Sequence, residues 1–118
     1  MQDSTQHQRE VRAARNQALL RAVNEEIKNF NDRLDPGALN LTVACECADT
    51  DCIELLEIGR DSYDEVRTNP RRFAVRHGHV FPDVEAVVAA NDAYIVVEKL
   101  GAAAHVAELL DGDSATEG

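Results

Sequence analysis

The sequence has no tryptophan, two tyrosines and three phenylalanines in 118 residues. So few rings leave a core of short aliphatic side chains, and a chain this small then benefits from any extra cross-link. Long apolar runs are also missing, and none approaches the ~20 residues of a membrane-spanning helix. The opening residues, MQDSTQHQRE, lack the apolar core of a secretory leader, so the expected location is the cytoplasm. Surplus positive charge is absent: 12 basic residues face 22 acidic ones, for a net charge of −10. Phosphate backbones and anionic lipid would be repelled, which disfavours nucleic acid and membrane as partners. Neither a Walker loop nor G-x-G-x-x-G, H-E-x-x-H or G-x-S-x-G is present, nor the His-x-Glu and Pro-Cys-x-x-Cys pair of zinc deaminases. No catalytic motif therefore supports an enzyme.

What is present is enough apolar residue, 44%, for one domain. Residues 1–34 carry six basic and five acidic side chains, residues 35–100 six and thirteen, and residues 101–118 none and four. The acid thus sits in the middle and the tail. Residues 1–37 read as a leading amphipathic helix packed on the domain, 38–100 as an α+β metal-binding domain, and 101–118 as a short helix with a disordered acidic tail from Asp111 onward.

The helical pattern runs from about Gln8 to Leu34. Leu20, Val23, Ile27, Phe30 and Leu34 step by 3 and 4 and share one stripe. This stripe is expected to pack on the chain's own core. The alternative is a dimer seam, though two heptads fall short of the usual three or four. Asp35-Pro36-Gly37 ends the helix. Leu39–Cys47 and Cys52–Ile58 alternate as two strands joined by turn residues, a hairpin with cysteines at its tip. Asp61 or Ser62 is expected to cap a helix through Val66. A third strand spans Arg72–Arg76, with Phe73 and Val75 on one face. A helix is expected from Pro82-Asp83 to about Ala90, followed by a strand from Ala93 to Lys99 and a last short helix over residues 101–110. The order α, β, β, α, β, α, β is that of an α+β fold: a long N-terminal helix, then a small, largely antiparallel sheet with short helices.

All three cysteines fall within eight residues, Cys45-Glu46-Cys47-Ala48-Asp49-Thr50-Asp51-Cys52. Cys45 and Cys47 are two apart on a strand and share a face, and the turn returns Cys52 toward them. Converging thiols in a reducing compartment suit a soft divalent metal, and Zn2+ takes four ligands from Cys and His. Three thiolates fall short of the four that most iron–sulfur clusters need. The fourth zinc ligand is His77 or His79, between which spacing does not decide. His7 and His105 read as surface residues. The acidic neighbours Glu46, Asp49, Asp51 and Glu54 are expected to raise the pKa of a free thiol, which disfavours a nucleophilic cysteine. Arg67, Arg71, Arg72 and Arg76 form a basic patch that could hold an anion, but with thirteen acids in the same stretch they are expected to pair internally.

Val23-Asn24-Glu25, the three cysteines, Asn69-Pro70-Arg71-Arg72-Phe73, Gly78-His79, Pro82 and Val96-Val97-Glu98-Lys99 together resemble a group of small actinobacterial proteins. The resemblance covers the middle of the chain and much of the leading helix. It implies His79 as the fourth ligand beside Cys45, Cys47 and Cys52, and it implies no activity. Four protein ligands would close the coordination sphere and make the metal structural. The expected function is a zinc-stapled binding or regulatory module with a protein partner, a basic one by charge, acting as a monomer or as a homodimer through the leading helix. The alternatives are a DNA-binding regulator using Arg9, Arg12, Arg15 and Arg21, and a thiol-based redox or metal sensor.

Overall fold

A computed structural model describes residues 2–49, 51–101 and 104–110. Its first element is one continuous helix, α1 (Gln2–Leu34), which begins six residues earlier than the apolar pattern suggests. At 1.5 Å per residue it is about 50 Å long, close to the 52 Å longest dimension of the molecule. It ends where expected. The Asp35 N–H closes on Asn31 O at 2.7 Å, and the Ala38 N–H closes the following turn on Asp35 O at 3.0 Å.

The hairpin forms from β1 (Asn40–Ala44) and β2 (Leu55–Gly59), antiparallel with Leu41 opposite Ile58 and Val43 opposite Leu56. Those four side chains alternate onto the buried face, while Thr42 and Glu57 face solvent. Helix α2 (Arg60–Arg67) follows at once. Neither Asp61 nor Ser62 caps it: Gly59 occupies the N-cap with no side-chain bond. Asp61 instead lies in the first turn, where a negative charge suits the helix dipole.

The remaining strands are β3 (Arg72–Val75), β4 (Glu85–Ala90) and β5 (Ile95–Lys99), in an antiparallel sheet of order β3-β5-β4. The expected helix from Pro82 to Ala90 is therefore a strand. Val84, Val87 and Val88 satisfy a helical spacing, but so short an apolar run does not separate the two periods. Tertiary pairing decides. Glu85 lies opposite Lys99 and the two form a buried ion pair at 2.8 Å. Asn91 Oδ1 accepts from the N–H groups of Ala93 and Tyr94, making the turn that joins β4 to β5. β3 also departs from simple alternation: Phe73, Ala74 and Val75 are all buried, and the Ala74 N–H donates to Glu46 Oε1 at 2.9 Å.

The core lies between the inner face of the hairpin, Tyr63 and Val66 of α2, and Phe73, Val75, Val96 and Val97 of the sheet. Residues 104–110 are helical and add Ala107 to that core. The tail from Asp111 lies outside the described residues.

α1 meets this body on an unexpected face. The buried row is Ala14, Gln17, Arg21 and Asn24, one residue round from the apolar stripe. Gln17 Nε2 donates to Glu46 O at 2.9 Å, and Asn24 Nδ2 donates to Ala44 O at 2.9 Å. The Arg21 guanidinium reaches the carbonyls of Val66, Asn69 and Pro70 at 3.0–3.3 Å and lies over the Phe73 ring. Of the apolar stripe, Ile27 packs against the core and Leu20 is partly covered. Val23, Phe30 and Leu34 keep 43%, 55% and 69% of their surface exposed. The helix is docked on the domain, but by hydrogen bonds more than by its apolar seam.

Candidate metal centre

Cys45 and Cys47 follow β1 in still-extended chain: the Cys45 N–H continues the hairpin by bonding Glu54 O at 3.0 Å, and the Glu46 N–H bonds Ala74 O of β3 at 2.9 Å. Alternation then sends the two thiols one way and Glu46 the other. A tight turn returns the chain. Asp49 Oδ1 accepts from Asp51 N–H at 2.9 Å, and Asp49 O accepts from Cys52 N–H at 3.1 Å. Such local carboxylate bonds are typical of Asx turns.

The other half of the site comes from beyond β3. The His79 N–H bonds Arg76 O at 3.1 Å, closing a four-residue turn with Gly78 at its third position and φ +83°. A third turn residue with positive φ is a glycine position by conformation. A Cβ on Gly78 would meet nothing within 4 Å, so the demand there is one of dihedral angle and not of space. The turn brings His79 Nδ1 to 3.5 Å from Cys45 Sγ and 3.5 Å from Cys52 Sγ. The ligand atoms of Cys45, Cys47, Cys52 and His79 all lie within 4.8 Å of one another and could hold a metal ion. Cys45 and Cys47 are buried, and Cys52 and His79 are partly exposed at the rim.

His77 is turned away. It is exposed, and its Nε2 bonds Asn91 O. His105 is exposed as expected, and the His7 side chain lies outside the described residues. Geometry thus separates two histidines that spacing leaves equivalent.

The thiols perturb one another. Cys45 titrates below the usual thiol range because the neighbouring Cys47 donates a hydrogen bond to it, helped by the Arg76 N–H at 3.2 Å from its sulfur. Cys47 is pushed up, first by that same bond and then by burial. Burial likewise raises Cys52. The acidic neighbours are not the main cause, contrary to expectation. Glu46 faces away from the sulfurs, and each thiol has a backbone group that favours its thiolate, at Arg76, Asp49 and Glu54 respectively. Three sulfurs this close tolerate one negative charge more easily than three, and a divalent cation among them removes the conflict.

Two residues beyond the four complete the arrangement. Glu54 Oε2 lies 3.6 Å from His79 Nε2 and 2.7 Å from Arg76 Nε. At 3.6 Å the carboxylate is just outside hydrogen-bond reach of the imidazole, and a small approach would make it the outer-shell partner that orients a ligating histidine. Glu46 anchors the strand between the thiols. Its Oε2 accepts from Tyr63 OH at 2.6 Å and Asn24 Nδ2 at 2.9 Å, and its Oε1 accepts from Ala74 N–H at 2.9 Å. The signal for Glu46 was its place between two inward cysteines, which sends it to the opposite, equally buried face. Glu54 carried no signal separable from the general excess of acid.

The four arginines of the basic patch pair internally, as expected: Arg67 with Glu25 at 2.8 Å, Arg71 with Glu108, Arg72 with Glu98 at 2.9 Å, and Arg76 with Glu54. No helix among the described residues is long and apolar enough to cross a membrane. The chain matches no family model, no curated protein and no solved structure.

Proposed function

We propose that Cys45, Cys47, Cys52 and His79 hold one zinc ion in a closed, structural site, and that the protein is a small interaction or regulatory module. The observation that carries this reading is the convergence of one nitrogen and three sulfur atoms within 4.8 Å. Zinc bonds of about 2.3 Å to sulfur and 2.0–2.1 Å to nitrogen at the tetrahedral angle set S and N about 3.6 Å apart. The two separations of 3.5 Å between His79 Nδ1 and sulfur fit that geometry. Four protein ligands leave no position for a substrate or activated water, which supports a structural over a catalytic metal. The metal would tie the hairpin to the turn after β3, across the sequence separation of 27 from Cys52 to His79.

The acidic balance of residues 35–118 favours a basic protein partner over nucleic acid. The DNA-binding alternative loses one of its residues, since Arg21 is buried against backbone carbonyls. The sensor alternative keeps one supporting observation, the partial exposure of Cys52, which gives an oxidant access to one sulfur. Metal analysis of reduced protein purified without a histidine tag tests the reading. The expected result is one zinc per chain, reduced by Cys47→Ser. Reversible zinc loss under mild peroxide would move the sensor role to first place.

A further inference from the structure

The apolar stripe of α1 is not consumed by the fold. Val23, Phe30 and Leu34 remain largely exposed, and Ile27 is only partly covered. The face that docks on the domain lies one residue round, about 100° away, so the stripe stays open to solvent along the helix. Read as a heptad, Leu20, Ile27 and Leu34 occupy one seam position, and Val23 and Phe30 the other. Of the two rows flanking the seam, Gln17, Asn24 and Asn31 lie toward the chain's own domain. The other row, Leu19, Glu26 and Arg33, is exposed.

We infer that this stripe is the contact with a second copy of the chain, its helix running antiparallel. The residues are arranged as a palindrome. In the register that sets Ile27 opposite Phe30 of the second copy, Val23 falls opposite Leu34, and all four apolar side chains are matched twice. The same register brings Glu26 beside Arg33 of the second copy and Arg33 beside its Glu26, two ion pairs of opposite sign on the open flank. Self-complementarity of this kind is what a two-fold interface demands. A parallel pair would instead set the open flank of one helix against the row that the other copy's domain already covers. In the antiparallel pair both docked bodies lie on the other side of the helices.

Charge points to the same occupant. Residues 1–34 carry six basic and five acidic side chains, whereas residues 35–118 carry six and seventeen. α1 can therefore approach a second copy without the surplus of like charge that the rest of this acidic chain carries on balance. The paired seam runs only from Val23 to Leu34, less than two heptads, so the dimer is a weak one whose population depends on concentration.

Sedimentation equilibrium of the full chain tests this inference. The wild type should show a monomer–dimer equilibrium. Phe30→Glu and Leu34→Glu, each at an exposed position, should be monomeric with unchanged helix content by circular dichroism. Glu26→Arg should weaken the dimer, and adding Arg33→Glu in the same chain should restore it. A wild type that stays monomeric at every concentration overturns the inference, as does a dimer that survives Phe30→Glu and Leu34→Glu. Failure of the double exchange to restore association overturns the antiparallel register. None of these outcomes bears on whether the thiol cluster holds metal.

Discussion

Glu46 shows how much one buried carboxylate can organise. Both its oxygens are satisfied by groups from three elements: Asn24 of α1, Tyr63 of α2 and Ala74 of β3. Leaving a buried polar cluster half-satisfied is costly, so removing any one member should be felt. Tyr63→Phe is expected to lower unfolding free energy by about 1–3 kcal/mol, read from urea titration. It should also change the pH profile. Burial, with the Glu46 carboxylate beside it, raises the Tyr63 phenol above its ordinary value. The unfolded chain releases that proton near pH 10 and the folded chain does not. The Tyr63 contribution is therefore fully present below about pH 10 and is lost as pH rises further. Wild type should lose stability in that alkaline range more steeply than Tyr63→Phe, and parallel curves would contradict the assignment. Glu54 is expected to act mainly on the metal, since its ion pair with Arg76 is exposed and contributes little to stability. Glu54→Gln should weaken metal affinity by roughly 10–100-fold in a competition titration, while metal-saturated protein keeps its fold.

At the scale of elements, the two departures from expectation have physical causes. Periodicity located α1 but chose its wrong face. The amphipathic signal assumes that burial follows apolarity, whereas this helix docks through Gln17, Arg21 and Asn24, whose amide and guanidinium groups satisfy backbone carbonyls left over at the ends of other elements. Substitutions should follow the observed face. Arg21→Ala is expected to cost roughly 2 kcal/mol or more, since buried carbonyls lose their donor. Leu34→Asp, measured in dilute protein, should change stability by less than about 0.5 kcal/mol. Unfolding curves that rank the two the other way would restore the apolar seam as the docking face. For β4 the missing information was the partner of Glu85. A charge at the start of a short valine-rich run reads as the first turn of a helix until Lys99, fourteen residues on, is seen opposite it. Lys99→Met alone should cost about 3–5 kcal/mol, because it strands the Glu85 carboxylate in the core.

Taken as a whole molecule, the protein is a thin core between a two-stranded hairpin and a three-stranded sheet, held on one side by a polar helix dock. The thiol cluster sits where the hairpin turn meets the turn after β3. This part was the most legible in the sequence, since Cys45, Cys47 and Cys52 are close along the chain and alternation alone places two of them together. The choice of His79 over His77 was not legible from spacing, because it depends on the positive φ of Gly78 and on the bond that turns His77 toward Asn91. If the metal closes this joint, its binding free energy is part of the folding free energy, and metal removal should loosen the hairpin from the sheet. The most direct measurement is thermal unfolding of the reduced, zinc-loaded chain before and after a strong chelator, with zinc content determined on the same samples. The account predicts one zinc per chain, a melting temperature that falls by many degrees on its removal, and recovery when zinc is returned. A fresh preparation without metal, or a chelated chain that melts where the loaded one does, would contradict it.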